Sequence, residues 1–196
     1  MEYQGVILSG IPGAGKSTLA QEIAKKRNWR QFSLGDYWKE RWKRAHPRGT
    51  VDFASYWRAS SRKENLKINR EARQVFEQGG VVCDSRYSAA YCQDLPLLLV
   101  YLDAPPLVRA QRLQGSALYR DMTVIDITRV LNDREMDEVA RGKEFFGKDY
   151  DYRNSQWYDL YIDSEQNSLE QELRIIQESL LLRKQRARQS HNVPLI

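Results

Sequence analysis

Gly10-Ile11-Pro12-Gly13-Ala14-Gly15-Lys16-Ser17 is the stretch of this chain best equipped for chemistry. Four residues separate Gly10 from Gly15, and a lysine and a hydroxyl follow, which is the Walker A pattern. A loop that wraps a polyphosphate has to point successive backbone N–H groups inward, and glycine reaches the required dihedrals with no side chain in the way. Lys16 supplies a point charge for the β and γ phosphates, and Ser17 offers a hydroxyl to a Mg²⁺ that bridges them. The pattern therefore predicts a grip on a nucleoside triphosphate, with Gly10, Gly13, Ala14, Gly15, Lys16, Ser17 and Thr18 as the ATP-binding residues.

Three further groups carry chemistry. In Val81-Val82-Cys83-Asp84-Ser85-Arg86 an apolar run ends in a carboxylate and, two residues on, a guanidinium. Asp84 reads as a metal-positioning residue beside the phosphate loop, although aspartate is also a common turn residue. Arg86 is fit to take a phosphate by two hydrogen bonds. In Ser33-Leu34-Gly35-Asp36, Asp36 either caps the next helix or faces a cleft, and Lys39 brings a cation to the same place. Over 124–146, Ile127, Leu131, Arg134, Glu138 and Arg141 follow the spacing of one helix face that begins apolar and turns charged. Such a face either leaves the core to line a polar cleft or forms an exposed salt-bridged surface. Arg109 and Arg112 lie upstream, and the segment 115–123, poor in apolar anchors, is expected to be a mobile cover.

These groups need a scaffold. Strands are expected over 5–9, 31–34, 81–84, 97–103 and 160–163, with helices between them and a last amphipathic helix carrying Leu169, Leu173, Ile176 and Leu180. The runs near Val81 and Leu97 are almost wholly apolar, as strands covered on both faces are. The expectation is an α/β fold with a parallel sheet, ligands binding beyond the carboxyl ends of its strands. At 196 residues and 41% hydrophobic content, one domain has a sufficient core. No apolar run approaches a bilayer's thickness, and no charged-then-apolar leader is seen, so a cytoplasmic enzyme is expected. Cys83 and Cys92 are too few to read as a disulfide framework. The net charge of +5 suits a protein that holds several phosphates; the basic tail over 183–196 reads as a solvated helix end or a weak anionic contact.

The chain resembles the nucleoside monophosphate kinases, and within them the short archaeal-type cytidylate kinases. The resemblance rests on GIPGAGKST at 10–18, SLGD at 33–36, VVCDSR at 81–86, YLDAPPLVRAQRL at 101–113, REMDEVAR at 134–141 and FFGKDYDYRNSQWYDLYIDS at 145–164. It implies a P-loop NTPase three-layer sandwich around a central parallel sheet of about five strands, with acceptor-binding helices over about 36–78 and a small mobile lid. It implies transfer of the ATP γ-phosphoryl group to CMP or dCMP with Mg²⁺, in a monomer with no membrane or nucleic-acid partner. It assigns roles as well: Ser17 and Asp84 to the metal, Arg86, Asp36, Lys39 and Glu138 to the acceptor, Arg109 and Arg112 to the donor nucleotide, and Lys16, Arg86, Arg134 and Arg141 to catalysis. Two positions depart from the family pattern: Ser85 stands where glycine is common, and Lys39 where arginine is. The segment rich in Trp38, Trp42, Tyr56 and Trp57 matches no family motif, and its aromatics read as core or as base-stacking platforms. An adenylate kinase-like or other small-molecule kinase shares the machinery. A nucleotide-dependent switch that binds RNA or protein is the reading from another class.

Overall fold

A computed structural model describes residues 3–182, so the basic tail lies outside the described residues. Five strands, β1 (Gly5–Gly10), β2 (Arg30–Ser33), β3 (Val81–Asp84), β4 (Leu97–Asp103) and β5 (Leu160–Asp163), form one sheet in the order β2-β3-β1-β4-β5. Every pairing is parallel. Eight helices alternate with them among the described residues: α1 (Lys16–Arg27), α2 (Leu34–Ala45), α3 (Phe53–Ala59), α4 (Arg62–Glu77), α5 (Ser88–Tyr91), α6 (Pro106–Leu113), α7 (Val124–Phe146) and α8 (Leu169–Leu181).

The central strands are the apolar runs legible in the sequence. Every residue of β1 is buried, and Leu97 to Leu102 of β4 are no more than 2% exposed. Burying a leucine or isoleucine fully contributes about 1.5–3 kcal/mol, so these two strands supply much of the drive to fold. α1 packs on α8, while α4 touches α5 and α7, which puts helices on both flanks of the sheet. The alternation of a parallel strand with a crossover helix leaves this layering as the way to cover both faces.

Local chemistry sets the helix starts. The Ser33 side chain accepts from the Asp36 N–H, so Ser33 caps α2 and Asp36 occupies its first turn. Leu34 accordingly opens a helix, whereas sequence reading placed it at the end of a strand. Ser61 with Glu64 and Ser168 with Gln171 form reciprocal capping boxes for α4 and α8. The segment 115–123 differs from the expectation in one respect: Tyr119 is buried with Ala110, Ile127 and Leu131 in a small second core between α6 and α7. That ring supplies an apolar anchor that periodicity did not reveal.

The aromatics of 37–70 pack mainly on each other. Trp38 stacks edge-on against Tyr56, Trp42 against Phe53, and the Trp42 indole N–H donates to the Val51 carbonyl at 2.7 Å. They tie α2 to α3, which favours the core reading.

Candidate active site

β1 delivers the chain to Gly10, and the turn there requires glycine. Its φ is +136°, and a Cβ would stand 2.1 Å from the Leu102 carbonyl oxygen of the adjacent strand. Gly13, at φ +83°, meets a second limit, because a Cβ would press on the Arg109 Cβ and Leu113 at 3.1 Å. The loop is thus clamped between β4 and α6, and its exit opens α1 with Ser17 and Thr18 exposed. A helix N-terminus with unsatisfied N–H groups and a partial positive charge suits an anion there.

Lys16 is buried, and its Nζ donates to the Ile11 carbonyl at 2.7 Å. Burial pushes its pKa down to about 8; Asp84 and Glu138 act in the opposite sense, and Arg86 and Arg134 add to the lowering. Five charged side chains from β1–α1, β3 and α7 therefore share one neighbourhood. Only the fold brings them there.

Ser17 Oγ donates to Asp84 Oδ2 at 2.6 Å across a sequence separation of 67 residues. Two oxygen donors at the rim of an anion site form the donor set of a hard divalent cation, so these residues fit Mg²⁺.

Glu138, 2% exposed, sits at the centre of the remaining cations. Its Oε2 lies 2.5 Å from Arg86 Nε, and its Oε1 accepts from Arg134 Nε at 2.9 Å. Burial opposes the charge on Arg86, but Glu138, with Tyr152, Tyr87 and Asp84, holds the guanidinium above its ordinary range. Sequence reasoning missed the next layer. Tyr87 donates its hydroxyl to the Glu138 carbonyl at 2.6 Å, the Tyr152 hydroxyl reaches Glu138 Oε2 at 3.5 Å, and the Tyr158 hydroxyl donates to Ser9 Oγ, which donates to the Arg86 carbonyl. No spacing rule links Ser9 to Tyr158; the stretch 145–164 signalled its tyrosines only through the family resemblance.

Other expected residues sit elsewhere. Arg141 faces the α3–α4 junction: Nη2 donates to the Ser60 carbonyl at 2.7 Å and to Ser60 Oγ at 3.0 Å, Nη1 pairs with Glu144, and the guanidinium lies 4.5 Å from the Phe145 ring centroid. Arg109 is buried against Glu135 at 3.2 Å and the Pro12 carbonyl at 3.3 Å, bracing the phosphate loop from below. Arg112 donates to the Ser164 carbonyl, joining α6 to the loop after β5. Asp36 and Lys39 pair with each other at 2.8 Å on an exposed turn of α2.

Lys16, Arg86 and Arg134 thus bring three cations together beside the phosphate loop, a chemistry suited to phosphate groups.

Comparison with known proteins agrees. Residues 6–123 match the family described as AAA domain. The cytidylate kinase of Aeropyrum pernix is 30% identical over 88% of this chain and 96% of its own length, and that of Methanopyrus kandleri 26% over 89% and 92%. Among solved structures, shikimate kinase from Bacteroides thetaiotaomicron superposes with a TM-score of 0.57 at 19% identity, covering 91% of this chain and 98% of that one, which speaks for the fold. With the phosphate loop, the Lys16–Arg86–Glu138 constellation and these relatives in view, the chain belongs to the P-loop nucleoside monophosphate kinase family, in the company of the archaeal cytidylate kinases, and is an ATP-dependent phosphotransferase.

Proposed function

We propose that this kinase transfers the γ-phosphoryl group of ATP to CMP or dCMP. The observation that carries the reading is Glu138 holding Arg86 and Arg134 beside Lys16. Two guanidinia pre-set around one carboxylate form a receptor for an acceptor phosphate, and the relatives named cytidylate kinase supply the base.

An oxygen of the acceptor monophosphate attacks the γ-phosphorus while the bond to the β-bridging oxygen breaks, leaving ADP. That oxygen is already anionic at neutral pH, so no general base is needed. Lys16 stabilises charge on the transferring group, and Arg86 and Arg134 fix the line of attack. Ser17 and Asp84 would hold Mg²⁺, which supplies charge neutralisation across the β and γ phosphates when bound. Arg141 acts through position, fastening α7 to the junction that shapes the acceptor side.

Coupled ADP release with CMP, dCMP, UMP, AMP, GMP and dTMP at equal concentration tests the assignment. The highest kcat/KM belongs to CMP or dCMP, because a site that hydrogen-bonds an exocyclic amine leaves its polar partners unpaired with the wrong base. AMP as best acceptor replaces the cytidine reading with an adenylate one, and stimulation by RNA alone removes the kinase reading.

A further inference from the structure

Ser9 is the one polar side chain of β1, fully buried in a strand whose other side chains are Val6, Ile7 and Leu8. Burying a hydroxyl costs free energy unless hydrogen bonds offset it, and alanine would fill the same space without that cost. The Ser9 Oγ donates to the Arg86 carbonyl at 2.9 Å and accepts from the Tyr158 hydroxyl at 2.9 Å. Resting on the role of Arg86 at the acceptor phosphate, we propose that Ser9 and Tyr158 are positioning residues for phosphoryl transfer. They tie the phosphate loop to Arg86 and so set the spacing between donor and acceptor phosphates.

Ser9 immediately precedes Gly10, where the phosphate loop leaves the sheet, and Arg86 stands two residues beyond the end of β3. Two bonds join these strand ends, one from the Ser85 N–H to the Leu8 carbonyl at 3.0 Å and one from Ser9 Oγ to the Arg86 carbonyl. The first fixes the exit of β3, and the second holds the peptide that carries the guanidinium. A hydroxyl has one proton to give and lone pairs to receive, so donation to Arg86 leaves Ser9 Oγ free to accept from Tyr158.

Tyr158 is presented by a bracket on β4. The next residue, Asp159, gives its N–H to the Leu99 carbonyl at 2.8 Å and takes the Leu99 N–H on Oδ2 at 2.9 Å. The Tyr158 ring packs on Tyr101, the register partner of Ser9 on β4, with centroids 5.0 Å apart. Its hydroxyl shares its proton between Ser9 Oγ and the Tyr152 carbonyl, which lies 2.5 Å away. Burial raises the pKa of this phenol, so it remains a donor. Tyr152 directs its own hydroxyl at Glu138 Oε2, the oxygen that faces Arg86 Nε. One phenol therefore steadies both ends of Arg86, the backbone through Ser9 and the guanidinium through Tyr152 and Glu138. Fixed bonds of this kind matter because a reacting constellation tolerates errors of only about 0.5 Å.

The experiment compares Tyr158→Phe, Ser9→Ala and the double variant with the parent, using the best of the six monophosphates as acceptor and measuring melting temperatures alongside. Phenylalanine keeps the ring on Tyr101 and removes only the hydroxyl. Each single variant should lose about tenfold in kcat, short of the hundredfold that a 1 Å misplacement can cost, while KM for ATP and for the monophosphate stays within about twofold. Slow ATP hydrolysis without acceptor should be unchanged, since Arg86 does not orient water. The double variant should lose no more than the worse single, because both hydroxyls belong to one chain of bonds. A kcat within about twofold of the parent, a loss confined to KM, or losses that multiply in the double variant overturn the proposal. So does a lower melting temperature with normal kcat in the folded enzyme, the mark of a bond that serves stability alone. A parent that phosphorylates none of the six refutes the acceptor reading and this proposal with it, whereas an active parent with an unimpaired Tyr158→Phe variant refutes this proposal alone.

Discussion

Glu138→Gln is the perturbation that best separates a working site from a merely structural salt bridge. The substitution keeps size and one acceptor oxygen but removes the charge that lies 2.5 Å from Arg86 and 2.9 Å from Arg134. Breaking a buried pair by removing one partner costs about 3–5 kcal/mol, because the other charge is left uncompensated. The Arg86 side chain is 23% exposed and that of Arg134 46%, so water recovers part of this, and the lower end, about 3 kcal/mol, is expected. For a domain of this length each kcal/mol shifts Tm by about 2–4 °C, giving a fall of about 6–12 °C. The distinguishing measurement follows from what the two guanidinia do next. Released from Glu138, they are free to take an anion, so millimolar CMP or inorganic phosphate should raise the variant's Tm by more than the parent's. Thermal melts of both proteins with and without these ligands decide the matter. A melting temperature within about 1 °C of the parent, or a ligand-induced rise no larger than the parent's, refutes the reasoning that Glu138 stands where the acceptor phosphate binds.

Lys16→Met should abolish transfer while the protein stays folded, since comparable single electrostatic deletions cost about 3–4 kcal/mol in the transition state. The same variant should be more stable than the parent at pH 7 without ligand. Burial lowers the Lys16 pKa from 10.5 to about 8, so the folded parent carries a disfavoured charge below pH 8 and sheds it before the unfolded chain does; parent stability rises from pH 8 to 10.5, and the variant's advantage disappears over that window in denaturant titrations. Arg86→Ala should raise the KM for the monophosphate and lower kcat, with slow ATP hydrolysis in the absence of acceptor little changed; an unchanged KM and kcat removes Arg86 from the acceptor site. Gly10→Ala should cost several kcal/mol in chemical denaturation, because its Cβ would overlap the Leu102 carbonyl at 2.1 Å and the φ of +136° is foreign to alanine.

The order of elements, the parallel sheet and the phosphate loop were legible in the sequence because each depends on neighbours along the chain. Apolar runs announce β1, β3 and β4, Gly10 and Gly13 announce the turn, and the spacing of Ile127, Leu131, Arg134 and Glu138 announces one face of α7. The resemblance carried by Asp84, Arg86 and Glu138 extended this to an expected site. What sequence reading did not settle is where long side chains end. Arg141 and Arg134 lie on the same helix at helical spacing, yet Arg134 reaches Glu138 while Arg141 is taken by Ser60 and the Phe145 ring. A guanidinium on a flexible stem goes to whichever carbonyls, carboxylates and rings the tertiary packing sets within its reach. The cap of α2 shows the same division at shorter range, since Ser33 rather than Asp36 reaches the free N–H. Ser9, Tyr152 and Tyr158 support the site only because the fold closes sequence separations as large as 149 residues. Local periodicity thus determined the scaffold and the loop that grips phosphate, while the pairing of Arg86 and Arg134 through Glu138 beside Lys16 was decided by packing between elements that no local rule connects.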